Sequence, residues 1–119
     1  MARTTFSGRR FLTVARKLLH GARHDEASIR SAVSRAYYAA YWVGRDWAAR
    51  HGSRELNHGA LLKLIRQRAP TGHLAPLLSE LYQARVAADY ESGHHFTLGK
   101  ARRLVRDAEA FIKALDATR

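Results

Sequence analysis

Apolar residues recur at intervals of three and four along almost the whole chain, and nowhere do they alternate at period two for long. The last segment is the clearest case. Ala101, Leu104, Val105, Ala108, Phe111, Ile112 and Leu115 trace one face of a helix, with Thr97 placed to cap it. Prolines stand only at Pro70 and Pro76, so little interrupts this rhythm. Ser7 is expected to cap a first helix reaching about Ala22. Asp25 or Ser28 opens a second one through Arg50, with Ile29, Val33, Ala36, Tyr37, Ala40, Tyr41, Gly44 and Trp47 on its inner side. Gly52 suits the left-handed position after a helix. Asn57 caps a short third helix stopping at Pro70, and a fourth begins between Gly72 and Pro76 and runs to about Tyr90. Its inward residues are Leu74, Leu77, Leu78, Leu81, Ala84 and Ala88, and "ESGHHF" is the loop that follows. The pattern predicts an all-α, antiparallel up-and-down bundle of about five helices, one domain over residues 1–119.

Charge narrows the partners. The chain carries 21 basic and 10 acidic residues, a net +11 that attracts polyanions: RNA, DNA or an acidic protein. Seventeen of the basic residues are arginine, which raises the charge of many proteins that bind no nucleic acid, so charge alone does not choose. The absence of cysteine excludes disulfides and thiol chemistry and is compatible with the cytoplasmic location expected here. No apolar run approaches the roughly 20 residues of a membrane span. The first 24 residues carry six basic residues and no acid, as a mitochondrial presequence would. The stripe of Phe11, Val14, Leu18 and Leu19 instead predicts a first helix buried in the bundle.

Two placements bear on function. Ala36, Ala40 and Gly44 form a ridge of small side chains that lets another helix come close. Around it, Tyr37, Tyr38, Tyr41, Trp42 and Trp47 supply aromatic surface for the core or for a second copy of the chain. Arg85 lies at the margin of the fourth helix's apolar stripe, where a guanidinium needs an anion. Asp89, one turn on, is the nearest candidate, and Tyr82 shares that face.

The stretches "SRAYYAAYWVGRDWAARHG", "ELNHGALLKLI" and "LYQARVAADYE" resemble the HEPN domain, in particular its short stand-alone prokaryotic members. The resemblance rests on Ser34-Arg35-Ala36-Tyr37-Tyr38, on His58 opening the third helix, and on Arg85-x-x-Ala88-Asp89-Tyr90. It covers about Thr13 to Ala114. It implies a helical bundle, commonly a homodimer with a cleft where the two subunits' motifs meet. It also implies metal-independent RNA cleavage in toxin–antitoxin or defence systems, often beside a nucleotidyltransferase acting as antitoxin. The family's catalytic signature is an arginine, four to six residues, then a histidine.

Here the chain departs from the pattern. Tyr90, Glu91 and Ser92 occupy the positions where a histidine should follow Arg85, and Ala40, Tyr41 and Trp42 those after Arg35. Arg45 and His51 satisfy the bare spacing, but in the second helix, out of the family position. Metal-free cleavage requires a base for the 2′-hydroxyl, a cation for the phosphorane and an acid for the leaving oxygen. Histidine, with a pKa of about 6.5, fills the proton-transfer roles, whereas tyrosine at about 10 is a poor base. Arginine contributes charge and bidentate phosphate contact. The candidates are therefore Arg85 for phosphate contact, Asp89 for orienting it, Tyr90 in the histidine's position and His58 as proton carrier. His94 and His95 could fold back over the helix end, and Arg35 could hold an anion. The adjacent histidines lack the fixed spacing of a metal site, so no metal or cofactor is expected.

Three functions remain open on the resemblance and the charge together. One is a ribonuclease toxin with an altered active site. The alternative is a non-catalytic module binding nucleotide, nucleic acid or a partner protein. The third is an antitoxin-like interaction protein that neutralises an acidic partner.

Overall fold

The computed structural model describes residues 6–21, 25–53, 57–68 and 73–118. Five helices follow in order: α1 (Arg9–His20), α2 (Glu26–Arg50), α3 (His58–Arg68), α4 (Leu74–Tyr90) and α5 (Leu98–Asp116). Among the described residues there is no strand. The expected boundaries at Ala22, Pro70 and Gly72 lie outside the described residues.

Local chemistry explains most helix starts. The Asp25 carboxylate accepts from the Ala27 N–H, Asn57 from Ala60 and Thr97 from Lys100, each satisfying a donor that the first turn leaves open. Gly52 follows α2 with φ +82°, the left-handed conformation that glycine adopts freely. The expectation for Ser7 is corrected. Gly8 is the capping residue of α1, and no side chain caps the helix. A Cβ built on Gly8 would stand 2.3 Å from the Trp42 Cβ, so the close approach of α1 to α2 decides this position.

α2 is the central helix and packs against each of the other four. Contacts between early residues of one helix and late residues of another fix the directions. Gly8 and Phe11 of α1 meet Trp42 and Tyr38 of α2. Arg30 of α2 reaches Ala88 of α4, while Tyr37 meets Tyr82. Arg9 and Arg16 pair with Asp116 and Glu109 of α5. Both α1 and α4 therefore run antiparallel to α2, and α5 antiparallel to α1. The result is an up-and-down bundle of four long helices with the short α3 on its flank, touching α2 and α4.

The seven inward positions expected on α5 are all buried. Tyr37 and Trp47 belong to the core, whereas Tyr38, Tyr41 and Trp42 keep part of their surface. On α1 the buried line is Leu12, Ala15 and Leu19; Val14, expected inward, is 41% exposed. Leu19 of the expected stripe is buried and Phe11 and Leu18 pack against the core, so Val14 alone falls outside the face that α1 turns to α2 and α5. Gly44 confirms the ridge: a Cβ there would lie 2.6 Å from the Leu61 Cδ2, so α3 docks on α2 at this glycine.

Candidate functional site

On α4, Tyr82, Arg85 and Asp89 fall at i, i+3 and i+7 and share one face. It meets the face of α2 that carries Ser34, Tyr37, Tyr38 and Tyr41. α3 arrives beside them with His58 as its first residue. The docking of Leu61 against Gly44 sets how closely that histidine comes.

Arg85 is the centre of this cluster. Its guanidinium carbon lies 5.3 Å from the Tyr82 ring, 5.6 Å from those of Tyr37 and Tyr38 and 5.8 Å from that of Tyr90. The side chain is 14% exposed, and its pair with Asp89 is long, 3.5 Å between Nη1 and Oδ2. Its Nε is buried and has no hydrogen-bond acceptor among the described residues. A cation enclosed by ring faces, with a distant carboxylate and an orphan donor, is under-satisfied and favours an additional anion.

His58 belongs to the same cluster. Its ring stacks on Tyr82 at 4.0 Å and 18°, and its Nδ1 lies 3.1 Å from the Tyr37 hydroxyl. Burial first, and then the Arg85 cation, hold its pKa below the ordinary histidine value and favour the neutral imidazole. Burial, followed by the neighbouring Tyr41, pushes the Tyr37 phenol above its usual value, so it stays protonated. If Tyr37 donates to Nδ1, Nε2 carries the imidazole proton. If Nδ1 donates to the phenol oxygen, Nε2 presents a lone pair.

Asp89 joins Arg85 to two grooves. One, of about 390 Å³, is bordered by Arg30, Ser34, Arg35 and Asp89, and the Ser34 hydroxyl donates to Asp89 at 3.3 Å. The other, of about 330 Å³, includes Asp89, Tyr90 and Glu91. Arg35 is exposed on the first groove, its guanidinium also 5.2 Å from the Phe11 ring.

The structure thus gathers Arg85, Asp89, Tyr90 and His58, and brings Arg35 to the adjoining groove. It places the loop histidines elsewhere. The His94 ring packs on Phe96 at 4.5 Å, and the His95 Nδ1 lies 3.4 Å from Glu26, so their contacts are not with Arg85. Arg45 lies over Trp42, while His51 packs on Trp47, so that spacing match forms no pair.

None of Tyr37, Ser34 and Arg30 is among the site residues expected from the sequence. Tyr37 and Ser34 stand inside the Ser-Arg-Ala-Tyr-Tyr element, a signal that was available. Arg30 carried none. Its guanidinium donates to the carbonyls of Ala87, Ala88, Glu91 and His94, satisfying the open C-terminal end of α4 and fixing the turn that bears Asp89 and Tyr90.

The family model described as HEPN domain matches residues 5–117 of the chain. A search of curated proteins finds no match.

Proposed function

Because the chain belongs to the HEPN family, we propose that it binds the RNA backbone at the Arg85–His58 cluster and cleaves it there. In this reading it acts as a homodimer within a toxin–antitoxin or defence system. HEPN membership supports a nucleotide-binding or RNase-type module in general. The observation that favours cleavage is the shared position of Arg85 and His58 against Tyr37 and Tyr82. The histidine missing from the local motif on α4 has a spatial counterpart at the start of α3.

The chemistry follows from the groups. With Nδ1 donating to Tyr37, the Nε2 lone pair of His58 takes the proton of the 2′-hydroxyl, and the 2′-oxygen attacks phosphorus. Arg85 stabilises the charge that develops on the phosphorane oxygens. The bond from phosphorus to the 5′-oxygen breaks and that oxygen gains a proton, leaving a 2′,3′-cyclic phosphate and a 5′-hydroxyl. One protomer supplies one such acid–base group. In a second copy the same histidine, protonated to imidazolium beside the bound phosphate, supplies the acid, which is the chemical reason for a dimer. Asp89 orients Arg85, and Arg35 holds a neighbouring phosphate in the adjoining groove.

The test is cleavage of single-stranded and structured RNA with excess EDTA, by wild type, Arg85→Ala and His58→Ala. Cyclic-phosphate ends from wild type alone support the reading, and intact RNA at high protein concentration ends it. Sedimentation velocity tests the homodimer, and a monomer at working concentration removes the source of the acid.

A second reading, a non-catalytic module for nucleotide or RNA, is favoured by the depth of Arg85, 14% exposed. It expects binding lost in Arg85→Ala and Arg35→Ala without cleavage by wild type. The neighbouring gene product, a nucleotidyltransferase-type antitoxin in this proposal, should suppress the activity when added.

A further inference from the structure

Away from Asp89 and its grooves, α1 and α5 enclose another groove, of about 280 Å³. Leu19 and Val105 form its floor, and Arg16, His20, Arg102 and Arg106 rise around it. Its one carboxylate, Glu109, is taken up by Arg16. Elsewhere on these two helices Arg9 is matched by Asp116 and Arg103 by Glu80 and Asp107, while Arg10, Lys17, Lys100 and Lys113 make no ion pair among the described residues. What sets Arg102 and Arg106 apart is their place on the wall of the groove. Both are exposed, and neither has a carboxylate partner among the described residues. They stand at i and i+4, a like-charge spacing that works against a helix.

We propose that the α1–α5 groove is a second, non-catalytic site for the phosphate backbone of single-stranded RNA, holding the strand beyond the cleavage cluster. The inference rests on the RNA reading above. A groove of this size takes a phosphate and its sugar, and guanidiniums on its rim suit bidentate contact with phosphate oxygens. The shared cations of α1 and α5 extend the attraction along the chain's basic surface. An acidic protein segment is the competing occupant, and the experiment separates the two.

The test uses the full chain carrying Arg102→Gln and Arg106→Gln together. Both positions are exposed, so matching thermal melts are expected and establish that the fold is intact. Binding of a labelled dinucleotide and of a long single strand is followed by fluorescence anisotropy across salt concentrations. The proposal expects weaker binding of the long strand by the double variant. Its salt slope should fall by about 1.4, two contacts at ~0.7 each. Dinucleotide binding and cleavage should match wild type. Wild-type affinity and slope for the long strand would overturn the proposal. Loss of binding to a polyglutamate peptide with RNA binding unchanged would overturn it too, assigning the groove to an acidic protein. If wild type neither binds nor cleaves the dinucleotide, yet long-strand binding still depends on Arg102 and Arg106, the cluster reading fails and the groove stands.

Discussion

Replacing Arg85 with Met separates a cation kept for function from one that braces the bundle. Methionine retains an unbranched apolar stem and removes the guanidinium. Four ring contacts at 5.3–5.8 Å are lost. They lie near the outer limit of such interactions, so about 0.5 kcal/mol each, ~2 kcal/mol together, is the appropriate scale. The long pair with Asp89 adds a few tenths at most. Against this, the substitution removes a buried Nε with no acceptor, whose burial costs roughly 1–3 kcal/mol. Asp89 is partly exposed and keeps the Ser34 hydroxyl, so it is not stranded. The opposing contributions cancel to within about 1 kcal/mol, equivalent to roughly 4 °C for a chain of this size. Urea denaturation followed by circular dichroism should therefore place Arg85→Met close to wild type, while RNA affinity in the same preparation falls at least about tenfold, or ~1.4 kcal/mol. A stability loss beyond about 3 kcal/mol would make Arg85 a strut and refute the reasoning, because breaking an essential buried pair costs that much.

Burial and Arg85 lower the folded-state pKa of His58, so the unfolded chain binds the extra proton below the ordinary value of about 6.5. Stability from this site is full above that pH and is lost as pH falls through the folded value; His58→Gln should flatten that dependence in urea midpoints measured on either side of pH ~6.5. Gly8→Ala places a Cβ 2.3 Å from the backbone end of the Trp42 side chain and should destabilise by about 1–3 kcal/mol. Gly44→Ala meets the end of the Leu61 side chain, which can shift more readily than the Trp42 Cβ, and gains helix propensity of up to ~1 kcal/mol, so its melting temperature should stay above that of Gly8→Ala. Arg30→Met removes the charged donor from the carbonyls of Ala87, Ala88 and Glu91 and should cost on the order of 2 kcal/mol, with faster amide exchange in the last turn of α4. Tyr37→Phe should cost about 1 kcal/mol and lower cleavage more than RNA binding, since it frees the His58 tautomer; equal cleavage by variant and wild type would remove Tyr37 from the mechanism.

Much of the bundle was legible because its information is local. The seven buried positions of α5 and the caps Asp25, Asn57 and Thr97 are each decided within one or two turns of chain. The failures at Ser7 and Val14 have a different origin. Serine is the better cap by intrinsic preference, but Trp42 on another helix leaves room only for glycine at the position that caps α1. Val14 fits a stripe with Phe11, Leu18 and Leu19, and those three do meet the core, but packing against two neighbours buries Leu12 and Ala15 and leaves Val14 out. Periodicity reports that a face exists; the partner helices choose among overlapping faces.

The candidate site divides along the same line. Arg85 and Asp89 are one turn apart, and their pairing can be read from spacing. His58 and Arg85 are on different helices, so no spacing rule written for one helix can join them. Their neighbourhood depends on Leu61 reaching Gly44, which docks α3, and on Tyr37 and Tyr82, which offer the histidine an oxygen and a ring. A motif searched within α4 therefore finds Tyr90 where a histidine should stand, 76% exposed and at the edge of the cluster. The fold brings the imidazole in from the side instead. That arrangement ties the position of His58 to the packing of α2 against α3, so on the proposed reading small changes at Gly44 bear on cleavage as well as on stability.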